Sequence, residues 1–595
     1  MMTTISFKNV VKGFIIGAAC LGIAGCSSRD DAPDLSKTSL VIQGITIEQQ
    51  NELMIQESAL VNKSVNPAQP YDNIFKDSKI TSTKDFDVIT NVTSQSTDGK
   101  QKKMVALSGN GNVIPTAAVT QSPIPAGIKY KILIYDAQNN ALVTTRDATA
   151  GTSPNIVVDA GKSYKWYAIS TNDTSTPAVD TTSGVIASNV LANKDFLFAE
   201  GNITAIQGQN SMNIIFKHYT SQLTVDLDVR GMFAKIDNTT AIELGTGVGA
   251  GFTSIIQSGN FNIFTGLYSN LQNTAALTAA NMVNKAGAGG NVGATKTATF
   301  YTVKTDPLLA NTLSLRLNTL NLTMDDASTR SFSANMVVPL NNTTAIPPSL
   351  GYRTQITARL IESGIKVSNI LWARTNLYYA PNIPNADKYR FHPDNEYTIE
   401  NLLNITVGNL LSIQLNGAPF DVNNEYWNWM ATTPTGTSGS GDPCALVYPQ
   451  GIWRMPTSAE FTTLNANNTI DVNTVNPLLV GGSRIASTFE LDGGQTINTN
   501  YPTNSRKLFI PFFGYRTGNT IIDSPGSVSV LGLLVSGKAH YWSSTANGAN
   551  ANYDTRNYDA LLGPLLGAGT PTIASGVRTD GRNIRCVRVS NTPNI

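Results

Sequence analysis

The strongest constraint on the fold is a hydrophobic period of two, repeated in short runs with turn residues between them. Tyr130-Lys131-Ile132-Leu133-Ile134-Tyr135-Asp136 interleaves polar and apolar positions before an Asp-Ala-Gln-Asn-Asn turn, and Ala141-Leu142-Val143-Thr144-Thr145 follows. Successive side chains on a strand point to opposite faces, so this pair predicts a hairpin with one buried face. Ile156-Val157-Val158 and Ser163-Tyr164-Lys165-Trp166-Tyr167-Ala168-Ile169-Ser170 predict two more strands joined by an Asp-Ala-Gly-Lys turn. Residues 39–47, 213–218, 221–229, 313–317 and 355–360 carry the same rhythm. Strands at short, regular spacing predict β-sandwiches.

The N-terminus reads differently. Lys8 and Lys12 precede an uncharged apolar run from Phe14 to Ala24. That run falls well short of the roughly 20 residues needed to span a bilayer and fits the h-region of a signal peptide. It ends in Ile23-Ala24-Gly25-Cys26, which resembles a bacterial lipobox with Cys26 as the lipid-accepting thiol. Cys20 lies inside the h-region and leaves with it. Ser27-Ser28-Arg29-Asp30-Asp31 resembles the surface-export signal of Bacteroidetes lipoproteins. The expectation is a signal peptide over 1–25, a lipidated tether over 26–38, and a surface-exposed outer-membrane lipoprotein whose lipid is its only anchor.

Composition narrows the partners. Only 14% of the 595 residues are charged and the net charge is +1. Nucleic-acid binding needs a basic stripe that this chain lacks. Three histidines, His218, His392 and His540, are scattered without metal-ligand spacing, so neither a metal nor another cofactor is expected. Apart from Cys20 and Cys26, only Cys444 and Cys586 remain. In an oxidising compartment an even pair suggests a structural disulfide. Its loop of about 140 residues is worth on the order of 5 kcal/mol by chain entropy. Catalytic or metal-binding thiols, or two unpaired cysteines, are the alternatives.

Two resemblances organise the chain. Tyr130–Asp136 followed by Ala160-Gly161-Lys162-Ser163-Tyr164 is one set of motifs. Asp195-Phe196-Leu197-Phe198-Ala199 followed by Phe216-Lys217-His218-Tyr219-Thr220-Ser221-Gln222-Leu223-Thr224-Val225 is the other. Together they resemble the fimbrillin-like, or type V pilin, family of Bacteroidetes surface proteins. The resemblance implies an N-terminal β-sandwich over 39–218 and a second over 219–360.

Composition shifts after residue 370, where five of the six tryptophans fall. Trp372-Ala373-Arg374-Thr375-Asn376-Leu377 comes first, then Gly451-Ile452-Trp453-Arg454-Met455-Pro456-Thr457, Ile510–Arg516, Tyr541-Trp542-Ser543-Ser544-Thr545 and Arg585-Cys586-Val587-Arg588. This ordered set resembles the Fibrobacter succinogenes major paralogous domain, which implies an α+β, C-type-lectin-like domain over 365–595. The predicted fold is therefore mainly β: two tandem sandwiches followed by that domain. Within it, Thr457 and Glu460 predict a capping box at a helix start, with Phe461 and Leu464 on one face.

The chemistry of the C-terminal region points to binding. No Ser/His/Asp set, phosphate loop or paired-acid motif stands out. Glu460 has its capping role, and Asp580 sits in a turn-like Thr-Asp-Gly-Arg stretch. The calcium-dependent sugar triplets of C-type lectins, Glu-Pro-Asn, Gln-Pro-Asp and Trp-Asn-Asp, do not occur. Trp427, Trp429, Trp453 and Trp542 are candidate binding residues, because indole faces stack on sugar rings. The alternative is that they are core. The expected role is a non-enzymatic surface adhesin, with other pilins and a host or glycan ligand as partners. A glycan-binding lipoprotein of a nutrient-uptake system and a surface enzyme are the rival readings. No arginine lies between Arg29 and Arg146, and only 590–595 follow the closing motif Asn583–Val589. Both features fit a fimbrial tip, an accessory subunit or a stand-alone protein better than a repeating stalk subunit.

Overall fold

The structure is a computed structural model. It describes residues 38–49, 51–52, 79–83, 85–93, 121–285, 292–324, 327, 329–340, 342, 345–346, 349–383, 385–392, 422–466, 469–474, 483–489, 492, 508–523, 537–558 and 570–589. The signal segment, Cys26 and most of the tether lie outside the described residues. The described chain is mainly β.

In the first sandwich, Lys129–Asp136 pairs antiparallel with Leu142–Thr149 across the predicted turn, where Asn140 takes a φ of 56°. The strand Gln209–His218 alternates strictly, with Asn210, Met212, Ile214 and Phe216 turned inward. It runs parallel to Thr38–Glu48 from Ser39↔Gln209 to Ile47↔Phe216. Its last two residues pair instead with Leu197 and Phe198, so one strand links the two layers. Leu40, Ile132, Ile134, Tyr164, Ala168 and Ile214 meet between those layers.

The turn after Val158 joins layers and closes no hairpin. Gly161, at φ 79°, donates its N–H to the Ala205 carbonyl. Asn155–Val158 therefore pairs with Thr38–Val41, while Ser163–Ser170 pairs with Leu197–Thr204. A left-handed glycine makes this change of direction possible without a Cβ clash.

The expected boundary of the first sandwich needs correction. Lys79–Ser82 and Phe86–Thr93 lie in the sheet of the second sandwich, where Phe86–Thr93 pairs with Gln355–Glu362. The chain thus leaves the first sandwich after Thr38–Glu48, contributes strands to the second, and is back in the first at Gln121–Pro123. Residues 48–100 are polar and weakly patterned, so the sequence signalled neither these two strands nor their partner.

The central strand of the second sandwich, Ser221–Gly231, is buried on both faces. Leu223, Val225, Leu227 and Val229 face the apolar core with Phe86, Val88, Leu315 and Ile356. Asp226, Asp228 and Arg230 occupy the alternate positions. Asp228 and Arg230 meet the C-terminal domain there.

That domain begins near Ile365 and, among the described residues, combines small antiparallel sheets with one α-helix, Ser458–Asn465. The final strand, Val587–Arg588, sits between Ile370–Trp372 and Trp453–Arg454. Its apolar core runs on into the second sandwich: Ile80, Ile89, Phe233 and Ile361 cluster with Phe391, Trp453 and Cys586. The first and second sandwiches are joined similarly by Tyr135, Tyr167, Phe198, Phe261 and Ile263.

Candidate binding surface of the C-terminal domain

Cys444 and Cys586 are bonded, with Cα atoms 5.8 Å apart. Both are fully buried. The bridge ties the turn that starts at Asp442 to the last strand. Asp442 accepts N–H groups from Cys444 at 2.9 Å and Met455 at 2.8 Å. Burial pushes its carboxyl up to about 6, against these hydrogen bonds.

The capping box forms as the sequence predicts. Glu460 N–H donates to Thr457 Oγ1 at 3.2 Å, and Thr457 N–H donates to Glu460 at 2.7 Å. Phe461 and Leu464 are both buried. Glu460 also receives a fork from Arg454, at 2.8 and 2.5 Å. Burial raises the Glu460 pKa, but the hydrogen bonds from Arg454 and Thr457 outweigh it and leave it below the usual range. A carboxylate held this way is structural.

Each histidine faces one carboxylate: His218 with Asp195 at 2.7 Å, His392 with Glu425 at 3.6 Å, and His540 with Asp523 at 3.2 Å. Burial pulls the His540 pKa below its ordinary value, against the hydrogen bond with Asp523. No group of three metal-ligating side chains occurs among the described residues. A cleft of about 320 Å³ lies where the two sandwiches meet, bordered by Glu48, Lys217, His218 and Gly351. Lys217 and Glu48 face each other across 4.0 Å within it.

The four candidate tryptophans require a correction: they are core. Trp427 and Trp542 are fully buried, Trp453 is 2% exposed and Trp429 is 8% exposed. Their indole N–H groups show why. Trp427 donates to the Leu377 carbonyl, Trp429 to Ser543 and Trp542 to Trp427. A buried indole must satisfy its N–H, and these carbonyls fix the rings edge-on in the interior. No ring face is left open for a sugar.

The rings carry arginines instead. Arg588 lies 4.2 Å from the Trp453 ring centroid, Arg582 4.7 Å from Trp542, and Arg578 4.2 Å from Trp429. Arg582 also contacts the rings of Tyr553 and Tyr515, at 4.0 and 4.4 Å. Two of these arginines are buried and paired, Arg588 with Asp87 at 2.6 Å and Arg582 with Asp580 at 3.0 Å.

The third, Arg578, is only partly buried. Its main-chain carbonyl accepts the Trp429 main-chain N–H at 2.9 Å, which brings the guanidinium over that ring. Its Nε donates to the Asn550 carbonyl at 3.1 Å and its Nη2 to Gly548 at 2.7 Å. The rim is uncharged: the turn Asn547–Asn550 and the loop 432–441, built of Thr, Ser, Gly and Pro. Ser438 Oγ is fastened to the Arg578 carbonyl at 2.8 Å. Sequence reasoning singled out the tryptophan beneath and missed the arginine above it. The Thr-Asp-Gly-Arg stretch next to Arg578 was the nearest signal.

No protein-family model matches the chain, and no curated protein matches it. Solved structures similar to it include a candidate cell adhesion protein from Bacteroides fragilis, at 14% identity over 44% of this chain and 90% of that one, with a TM-score of 0.26. A candidate polysaccharide-binding protein from Bacteroides thetaiotaomicron matches at 12% identity over 34% and 70%, with a TM-score of 0.20. The fimbrial anchor protein Mfa2 from Porphyromonas gingivalis matches at 11% identity over 34% and 73%, with a TM-score of 0.20.

Proposed function

We propose that this chain is a cell-surface adhesin, a lipid-anchored protein that holds a C-terminal recognition domain on two β-sandwiches and performs no catalysis. The observation that carries this reading is the continuity of packing. Aromatic side chains fuse the first sandwich to the second, and an apolar cluster fuses the second to the C-terminal domain. Buried ion pairs flank that second joint: Arg230 with Asp387 at 2.7 Å and Arg588 with Asp87 at 2.6 Å. Interfaces within a chain are commonly smaller and more mobile. A continuous interior suits a protein that presents a surface at a fixed distance and orientation.

The lipobox-like segment ending at Cys26 supports anchoring, and the buried disulfide fits an oxidising exterior. The neutral, hydroxyl-rich rim around Arg578 suits a saccharide ligand. A fimbrial tip, an accessory subunit or a stand-alone protein fits the chain best, because no arginine between Arg29 and Arg146 offers a cut that would free the strand at 39–47.

Two measurements test the reading. Cys26→Ser releases the protein from the carbonate-washed membrane fraction; retention there refutes the anchor. The full mature chain, screened against immobilised glycans and matrix proteins, binds at least one of them. Failure to bind any, together with an intracellular location, removes the adhesin reading. Finding the chain along the whole shaft of purified filaments refutes the tip or accessory role.

A further inference from the structure

We propose that Arg578 is the recognition residue for a carboxylate-bearing saccharide, bound at the neutral rim formed by 432–441 and 547–550. This deepens the adhesin reading and rests on it.

The argument begins with three arginines on three tryptophans. Arg588 on Trp453 is held against the carboxylate of Asp87, and Arg582 on Trp542 against that of Asp580. Arg578 on Trp429 has the same stacking distance as Arg588, 4.2 Å, but has no carboxylate partner among the described residues. The nearest acid in the sequence, Asp580, is turned to Arg582 at 3.0 Å. Arg578 is also the one of the three that solvent reaches.

The side chain is nonetheless fixed. Ring stacking and two carbonyl acceptors hold the guanidinium plane in place. Those carbonyls take two of its five N–H donors. Nε and one N–H of Nη2 are used. Both N–H groups of Nη1 and the second on Nη2 remain, which is the geometry of a two-pronged fork toward a carboxylate. A pre-organised fork loses little freedom on binding.

The surroundings select the rest of the ligand. Ser438, Gly548 and Asn550 contact Arg578, and the exposed Thr435, Thr437, Ser440, Asn547 and Thr579 are their near neighbours in the chain; none of these carries charge. Hydroxyls and amides suit sugar hydroxyls. An acidic peptide presents several charges, whereas the described residues in contact with Arg578 are neutral. A sugar acid offers one carboxylate per residue, flanked by hydroxyls.

The test uses the full mature chain and three probes: oligogalacturonate, its carboxyl-reduced counterpart and oligoglutamate. Wild type binds oligogalacturonate and loses it on carboxyl reduction. Arg578→Ala and Arg578→Lys each weaken that binding about tenfold or more, the lysine keeping charge but losing the fork. Unchanged thermal melting shows that these variants fold. Equal affinity for the carboxyl-reduced probe, tighter binding of oligoglutamate, or wild-type affinity in Arg578→Ala overturns the site. Those outcomes leave an adhesin with another binding face. Failure of every probe, glycan and matrix protein, together with an intracellular location, removes the underlying reading as well.

Discussion

Arg588, in the last described strand, donates to Asp87 over 2.6 Å, and the two residues lie 501 positions apart in the chain. Arg588 also donates to the Glu362 carbonyl at 3.1 Å, and Asp87 accepts from Ser82. The pair is buried on both sides, at 4% and 1% side-chain exposure. It fastens the end of the C-terminal domain to a strand that the N-terminal part of the chain lends to the second sandwich.

Asp87→Ala therefore leaves a buried guanidinium without its counter-charge. Loss of one partner of a buried pair costs about 3–5 kcal/mol. The double variant Asp87→Val/Arg588→Met is less destabilised than Asp87→Ala, because it strands no charge. Denaturant unfolding of the single and double variants checks this ordering; additive losses contradict it.

Asp442 gives a pH signature. Its folded pKa of about 6 lies above the ordinary value of 3.8. The folded state then binds more protons than the unfolded chain between those two values, so this group lowers stability as pH rises from about 4 to 6. Asp442→Asn removes that slope. The melting temperature of the variant relative to wild type therefore rises between pH 4 and pH 7. A constant difference across the window contradicts the burial argument.

Glu460 acts in the opposite sense. Its folded pKa is depressed, so its contribution is present above the ordinary carboxylate value and fades as pH falls through the folded one. Thr457→Ala removes the other half of the capping box and costs about 1 kcal/mol. Glu460→Ala removes both the box and the Arg454 fork, and costs more at pH 7 than at pH 3. Melting curves of the two variants at both pH values measure the difference.

The disulfide closes a separation of 142 residues. Replacing Cys444 and Cys586 together by alanine loses about 5 kcal/mol or less, by the loop-entropy argument. Both sulfurs are buried, so alkylation under native conditions with reductant stays slow and accelerates in denaturant. Rapid native alkylation contradicts the packing described.

Local physics was legible in the sequence. The period of two in Tyr130–Asp136 and Asn213–His218 determined both strands, because alternation is imposed by the backbone itself; it did not show that Leu133 and Tyr135 are buried too, on the face opposite Ile132 and Ile134. Thr457 and Glu460 determined a helix start, because both partners of a capping box lie within one turn. The even pair of cysteines allowed one bridge. The tertiary structure alone decided which strands meet. Residues 48–100 are polar and weakly patterned in sequence, and nothing in them says that Phe86–Thr93 forms a strand and pairs with Gln355–Glu362. The tryptophans show the same limit. An indole is equally suited to a core and to a sugar platform, and only packing decides which; here the carbonyls of Leu377, Ser543 and Trp427 hold three of the rings inside. Arg578 carried no signal of its own in the sequence. Its partly exposed guanidinium lacks a counter-carboxylate among the described residues, because Trp429 lies beneath it and Asp580 is taken by Arg582. Those relationships depend on distances between segments that chain order does not specify.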